Sequence, residues 1–160
     1  MKFVVDRMLG RLTRWLRLFG YDSIEINKQE NEDDLLLALA ESESRCLISR
    51  DRALIRKALK MGIKAYRVQS SEIMEQLKEM EKEFNIKFEV KMNICSICNN
   101  NIRKVEPHEM NLVEEKDYVY QATIEKGTEF WLCDNCGQVY WQGKHWENIK
   151  DRTEKLKGVN

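Results

Sequence analysis

Four of the five cysteines stand as two Cys-x-x-Cys pairs, Cys95/Cys98 and Cys133/Cys136, separated by 34 residues. A soft closed-shell cation takes four thiolates at tetrahedral corners, and each two-residue turn lets a pair of sulfurs converge on one ion. The spacing therefore predicts a structural zinc site, saturated by its four ligands and without an open position for catalysis. Two disulfides would use the same residues, but nothing else in the chain points to an oxidising compartment. The fifth, Cys46, lies inside an apolar run and reads as a core residue rather than a nucleophile.

A second set of residues suited to chemistry is acidic. Asp6 closes the apolar run Phe3-Val4-Val5, and Asp51 follows Cys46-Leu47-Ile48-Ser49 by one residue. Carboxylates brought together raise one another's pKa, and a bound divalent cation is the usual reason to tolerate the repulsion. Each aspartate also suits the N-cap of the helix that follows it. Asp33 and Asp34 are candidates for a third ligand. At about 100° per residue Asp34 shares a helical stripe with Glu41, whereas Asp33 falls between Leu36, Leu37 and Ala40 on the face expected to pack, so Asp33 is the chosen ligand. Both acids equally complement the positive end of a helix dipole. Arg7, Arg11, Arg14 and Arg17 form a stripe that begins one residue past Asp6. Arginine forks suit phosphate oxygens, and a positive track beside acids suits a phosphodiester backbone; the same stripe would also serve as a solvated face.

The elements that must position these groups alternate strand and helix. Short apolar runs at 3–5, 23–26, 46–49 and 65–68 read as strands. Between them lie helical periods: Met8 to Phe19 closed by Gly20, Asn31 as N-cap of a helix to about Ser42, Leu54 to Met61 closed by Gly62, and Ile73 to Phe84 capped by Ser70 or Ser71. Such alternation with short connections implies an α/β fold, a parallel sheet covered on both faces, with sites at the carboxyl ends of its strands. The expected organisation is an α/β domain over 1–88, a cysteine-bearing zinc ribbon over 92–147 with strands at 118–122 and 129–132, and a charged, helical tail over 148–160. In the ribbon His145, set among Trp141, Lys144 and Trp146, could stack on bases, grip a phosphate or cover a thin core, and His108 is expected to be solvated.

The 160 residues carry 27 Lys+Arg against 27 Asp+Glu, so no overall field draws in a polyanion and any nucleic-acid contact must be a local patch. The amino terminus has no apolar stretch of signal-peptide length, no run approaches the ~18 apolar residues of a membrane helix, and the chain reads as cytoplasmic.

Phe3-Val4-Val5-Asp6-x-Met8-Leu9-Gly10-x-Leu12-x-Arg14-Trp15-Leu16-Arg17-x-x-Gly20-Tyr21-Asp22, then Asp33-x-x-Leu36-Leu37, then Cys46-Leu47-Ile48-Ser49-Arg50-Asp51-x-x-Leu54, resemble the Mut-7 C-terminal RNase domain family, a member of the PIN-like nucleases. The resemblance runs on through Cys95-x-x-Cys98-Asn99 and Cys133-x-x-Cys136-Gly137-Gln138-Val139-Tyr140-Trp141-x-Gly143-x-His145. It implies a PIN-like three-layer α/β/α sandwich followed by a small four-cysteine zinc ribbon. It also implies metal-dependent hydrolysis of RNA, with Asp6, Asp33 and Asp51 holding magnesium or manganese and the ribbon holding substrate or docking on a protein or ribonucleoprotein partner. PIN-like enzymes usually add a fourth acid, for which this chain offers only Glu72, one position into a helix. Two further readings of the same residues are an RNA-binding adaptor with degraded chemistry that acts through its ribbon, and a phosphoacceptor receiver with Asp51 as acceptor, in which the arginine helix has no role.

Overall fold

The computed structural model describes residues 1–26 and 31–157; the side chains of His145 and Lys157 lie outside that description, and with them the contacts expected of His145. Strands β1 (Lys2–Val5), β2 (Asp22–Glu25), β3 (Cys46–Ser49) and β4 (Ala65–Arg67) form a parallel sheet in the order β2-β1-β3-β4. Val5 lies opposite Glu25 on one side and Ile48 on the other, which aligns the carboxyl ends of the three strands.

Period-two alternation divides the core. Phe3, Val5, Cys46 and Ile48 face helices α1 (Gly10–Leu18) and α4 (Ile73–Phe84), where Leu12, Leu16, Leu77 and Met80 meet them. Val4 and Leu47 point the other way, to Leu36, Leu37 and Ala40 of α2 (Glu32–Ser42) and Leu54 and Ala58 of α3 (Arg52–Lys60). The result is the expected α/β/α layering. Parallel strands buried on both faces read as continuous apolar runs, which is why these short strands were legible.

The helix starts depart from expectation in chemistry more than in place. Asn31 sits in the left-handed region at φ 54 and makes no side-chain cap bond; its carbonyl accepts the Leu35 amide, and Glu32, Asp33 and Asp34 supply the negative charge at that end. At α4 the expected serine cap is displaced. Ser70 Oγ takes the Glu72 amide, while the carboxylate of Glu79, nearly two turns into the helix, accepts the amides of Gln69 and Ser70.

The cysteine half is built on an antiparallel sheet of β5 (Arg103–Lys104), β6 (Phe130–Leu132) and β7 (Val139–Trp141), in that order. Its small core comprises Val105, Val113, Val119, Phe130, Leu132 and Val139. Helices α5 (Asn111–Glu114) and α6 (Gln121–Glu125) lie between β5 and β6. The strand expected over 118–122 is therefore a turn leading into α6. Tyr-Val-Tyr mimics strand alternation because Val119 alone is buried, while the Tyr118 hydroxyl accepts the Val139 amide at 3.0 Å and its ring stacks on Trp141.

The final helix α7 (Lys144–Lys157) is not a free tail. It crosses the boundary expected at residue 148, buries Trp146 and Thr153, and returns Leu156 to the core that α1 and α4 share. Its charged sequence hid one apolar stripe among many solvated positions. No helix of the described residues is long and apolar enough to cross a membrane.

Candidate functional site

The two Cys-x-x-Cys turns have the same backbone. In the first, the Cys95 amide donates to the Asn100 carbonyl and the Asn99 amide donates back to the Cys95 carbonyl; in the second, Cys133, Gln138 and Gly137 repeat those bonds. The residue after each second cysteine is left-handed, Asn99 at φ 67 and Gly137 at φ 73. These bonds point four sulfurs inward. All four Sγ atoms lie within 4.8 Å of one another, with Cys95 to Cys136 at 3.5 Å and Cys98 to Cys133 at 3.4 Å. A disulfide needs about 2.05 Å. A tetrahedron of ~2.3 Å metal–sulfur bonds has edges near 3.8 Å, so the four thiols can hold a metal ion such as zinc.

The surroundings tune the thiols unequally. Burial raises the Cys98 thiol, but the Asn100 amide, the Asn135 side chain and its neighbouring sulfurs outweigh it and bring it down to about 6. Burial and three sulfur neighbours push Cys136 up to about 12. The Tyr140 hydroxyl, held by the Ser96 amide at 3.0 Å, stands 3.0 Å from Cys95 Sγ and supplies it with a donor, the kind of outer contact that orients a ligand.

The first turn is also fastened to the parallel sheet. Asn99 Oδ1 accepts the Ser23 amide at 2.9 Å, and its Nδ2 donates to Asp22 at 2.7 Å. Asp22 is gripped from the other side by both terminal nitrogens of Arg45, at 2.7 and 3.1 Å. Burial alone would raise the Asp22 carboxyl, but donors from Arg45 and Asn99 hold it below its ordinary value. Because β2 is an edge strand, Asn99 covers a backbone donor that would otherwise face solvent.

Arg17 completes this fastening, and here the substrate stripe is corrected. Its side chain is buried, 3% exposed, with Nε donating to the Ser23 carbonyl at 2.7 Å and Nη1 to the carbonyls of Ser96 and Ile97 at 3.2 and 2.7 Å. Arg7, Arg11 and Arg14 are exposed, and Arg7 pairs with Glu32 at 3.5 Å. The stripe drifts round the helix until its last member lies under the cysteine turn, a long-range contact that periodicity alone could not reveal.

Asp6 and Asp51 occupy the carboxyl ends of neighbouring strands. Asp6 Oδ1 accepts the Met8 amide at 3.0 Å, and its Oδ2 accepts the Ser49 hydroxyl at 2.6 Å. The same Ser49 oxygen accepts the Asp51 amide at 2.9 Å, so one hydroxyl ties the two acidic loops together. Asp51 Oδ1 caps α3 through the amides of Ala53 and Leu54, at 2.6 and 3.0 Å. Both residues thus act as caps, and each still offers carboxylate lone pairs for another partner.

From Asp6 the chain enters α1 on one face of the sheet; from Asp51 it enters α3 on the other. The two loops diverge between β1 and β3, where the strand order reverses, and open sheets of this kind hold ligands in that crevice.

The third acid is less closely placed. Asp33 is exposed rather than packed, because the buried face of α2 begins one turn later, at Leu36, Leu37 and Ala40. Asp34 pairs with Lys57 at 2.8 Å. Glu72, the weak candidate for a fourth acid, is exposed. Among the described residues the cysteines alone form a group of three or more ligands within 4.8 Å of one another, so the three aspartates do not close on a common point.

Two glutamates near this crevice escaped sequence reasoning. Glu25 ends β2 level with Val5, its Oε2 lying 3.3 Å from where a side chain on Gly10 would begin. Glu32, mostly buried at the start of α2, reaches Arg7 at 3.5 Å. The only sequence signal for Glu25 was its position at a strand's carboxyl end; Glu32 looked like one more acid in the first turn of a helix. Beside the crevice, Arg7, Gly10, Arg11, Ser71 and Gln76 line a cleft of about 320 Å³ between α1 and α4.

One protein-family model, described as Mut7-C RNAse domain, matches residues 1–153. No curated protein and no solved structure matches the chain.

Proposed function

The chain belongs to the Mut7-C RNase domain family, and from that premise we propose that it is a metal-dependent, PIN-like ribonuclease that hydrolyses RNA phosphodiester bonds at the crevice between Asp6 and Asp51. The observation that carries this reading is the Asp6–Ser49–Asp51 arrangement at the point of strand-order reversal. The donor set is the right chemistry for a hard cation: magnesium is commonly held by one or two carboxylates with waters and substrate phosphates, and needs no all-protein cage. Asp6 and Asp51 would hold magnesium or manganese, with Asp33 joining once substrate is bound. The ion, when bound, supplies activation of water and charge stabilisation at the leaving oxygen.

The chain's own groups do the positioning. Ser49 donates to Asp6 and fixes the direction of that carboxylate at the crevice. The α3 amides fix one oxygen of Asp51, whose other oxygen has no partner among the described residues. Arg7, Arg11 and Arg14 hold the phosphodiester backbone, and no protein nucleophile is required. The cysteines hold zinc as a structural ion, and the segment around it docks on RNA or on a ribonucleoprotein partner in the cytoplasm.

A second reading, an RNA-binding adaptor without cleavage, is favoured by the failure of three carboxylates to converge. Fluorescent RNA incubated with the zinc-loaded chain and manganese separates the two. Cleavage that falls about 100-fold or more in Asp6→Asn and Asp51→Asn supports the enzyme. RNA that is bound tightly but remains intact under every metal condition would leave only the adaptor. Asparagine still caps a helix, so these variants should stay folded.

A further inference from the structure

The cleft between α1 and α4 accounts for one side of the crevice only. On the other face of the sheet, Arg52, Ile55, Arg56, Leu59, Lys60 and Arg67 line an open groove of about 470 Å³ between α3 and β4. Residues 50–67 contain seven Lys or Arg and a single acid, Asp51, in a chain whose charges cancel overall. Arg52, Arg56 and Lys60 recur every fourth residue, so they form one row, about 6 Å apart along the helix. All three are exposed, and none makes an ion pair among the described residues. A row of unpaired cations at that spacing is more than solubility requires, since a soluble surface normally intersperses both signs.

The groove starts at the acids. Arg52 directly follows Asp51, and Arg67 at the end of β4 donates from Nε to the Arg50 carbonyl at 3.2 Å, which lays its guanidinium against the loop that carries Asp51. Its floor is apolar: Leu59, three residues after Arg56 and just before Lys60, is 56% exposed, beside the buried Ile55. Cations flanking an apolar floor suit a single strand, with phosphates on the rim and bases or sugars on the floor; an acidic protein segment would leave that floor unused.

We infer that the α3–β4 groove is a track for single-stranded RNA, continuing the strand past the acids on the side opposite the Arg7/Arg11 cleft. This rests on the ribonuclease reading. It deepens that reading by making the substrate pass over the carboxyl edge of the sheet with contacts on both sides of the crevice, as internal cleavage of a strand requires.

The test uses the full zinc-loaded chain and fluorescent oligouridine without added magnesium or manganese, so that binding is read apart from cleavage. Arg52→Gln, Arg56→Gln and Lys60→Gln are combined; all three positions are exposed and glutamine is a good helix former, so the fold should persist. A control of equal charge change carries Lys150→Gln, Arg152→Gln and Lys155→Gln on α7. The groove variant should bind more than tenfold more weakly, with a salt-dependence slope shallower by about 2, the loss expected for three phosphate contacts to a single strand, while the control binds as the parent does. Equal binding by the groove variant and the parent, or equal weakening in both variants, overturns the inference. Cleavage with manganese keeps the two proposals apart. Groove-dependent binding without cleavage would sink the ribonuclease reading and leave the track, whereas undiminished cleavage and binding in the groove variant would sink the track and leave the ribonuclease.

Discussion

The two cysteine turns share a backbone and differ in what they face. The turn at 95–100 lies against the parallel sheet, and its left-handed residue is Asn99, whose side chain binds Asp22 and Ser23. The turn at 133–138 does not touch that sheet through any hydrogen bond among the described residues, and its left-handed residue is Gly137. Both residue types tolerate that backbone region, glycine with the least strain and asparagine next. The choice between them therefore records a second duty: glycine where only the turn is needed, asparagine where the turn must also hold another part of the molecule. The first cysteine turn is thereby part of the α/β fold's edge as well as of the cysteine cluster.

Removing the metal should have the largest effect on this arrangement. The core of the cysteine half is six residues, too small to sustain it alone, and structural zinc contributes on the order of 10 kcal/mol to such sites. Chelation should therefore melt the segment around β5 to β7 while the parallel sheet, with two cores of its own, stays folded. Hydrogen exchange resolves the two parts. Loss of protection in both halves at once would mean that the sheet depends on the metal, and unchanged protection in the cysteine half would remove the metal's structural role.

How far such couplings could be read from sequence varies with distance along the chain. The Cys-x-x-Cys turns were legible because ligand spacing is local, and the central strands β1 and β3 of the parallel sheet because both are buried runs. Asp6 and Asp51 were legible as strand-end acids, yet their link through Ser49 was not, since Ser49 looked like one more strand residue until β1 and β3 were paired. Arg17 was read into the wrong set. Periodicity places residues on a helix face and says nothing of what covers that face 79 residues later. The turn at Tyr118 failed for a related reason: one buried valine between two tyrosines imitates a strand when its partners are unknown.

Arg17 supplies the next test. Arg17→Met fills much of the same space but leaves the carbonyls of Ser23, Ser96 and Ile97 without their charged donor, and should cost about 3 kcal/mol of stability. Zinc content and the affinity for RNA per folded molecule should not change. Arg14→Gln, on the exposed face of the same helix, should do the reverse, leaving thermal stability within about 0.5 kcal/mol while weakening RNA binding. If Arg17→Met weakened RNA binding in fully folded protein and left the melting temperature alone, Arg17 would return to the substrate stripe and the fastening of the first turn would rest on Asn99 alone.

The smallest and most discriminating effect comes from exchanging the two left-handed residues. Asn99→Gly keeps the turn and removes both side-chain bonds, so it should cost about 1–2 kcal/mol and expose the Ser23 amide, which now has Asn99 Oδ1 as its acceptor on an edge strand. Gly137→Asn should cost under about 1 kcal/mol, because asparagine accepts the backbone and the nearest neighbour of its Cβ is the Lys116 ammonium at 3.4 Å, the free end of a flexible chain. Neither change touches a ligand, so both proteins should retain one metal ion. The Ser23 amide is the decisive reporter, since its exchange should quicken in Asn99→Gly and stay slow in Gly137→Asn. Equal melting shifts with Ser23 still protected would show that the two turns are interchangeable and that the asparagine holds nothing beyond its own loop.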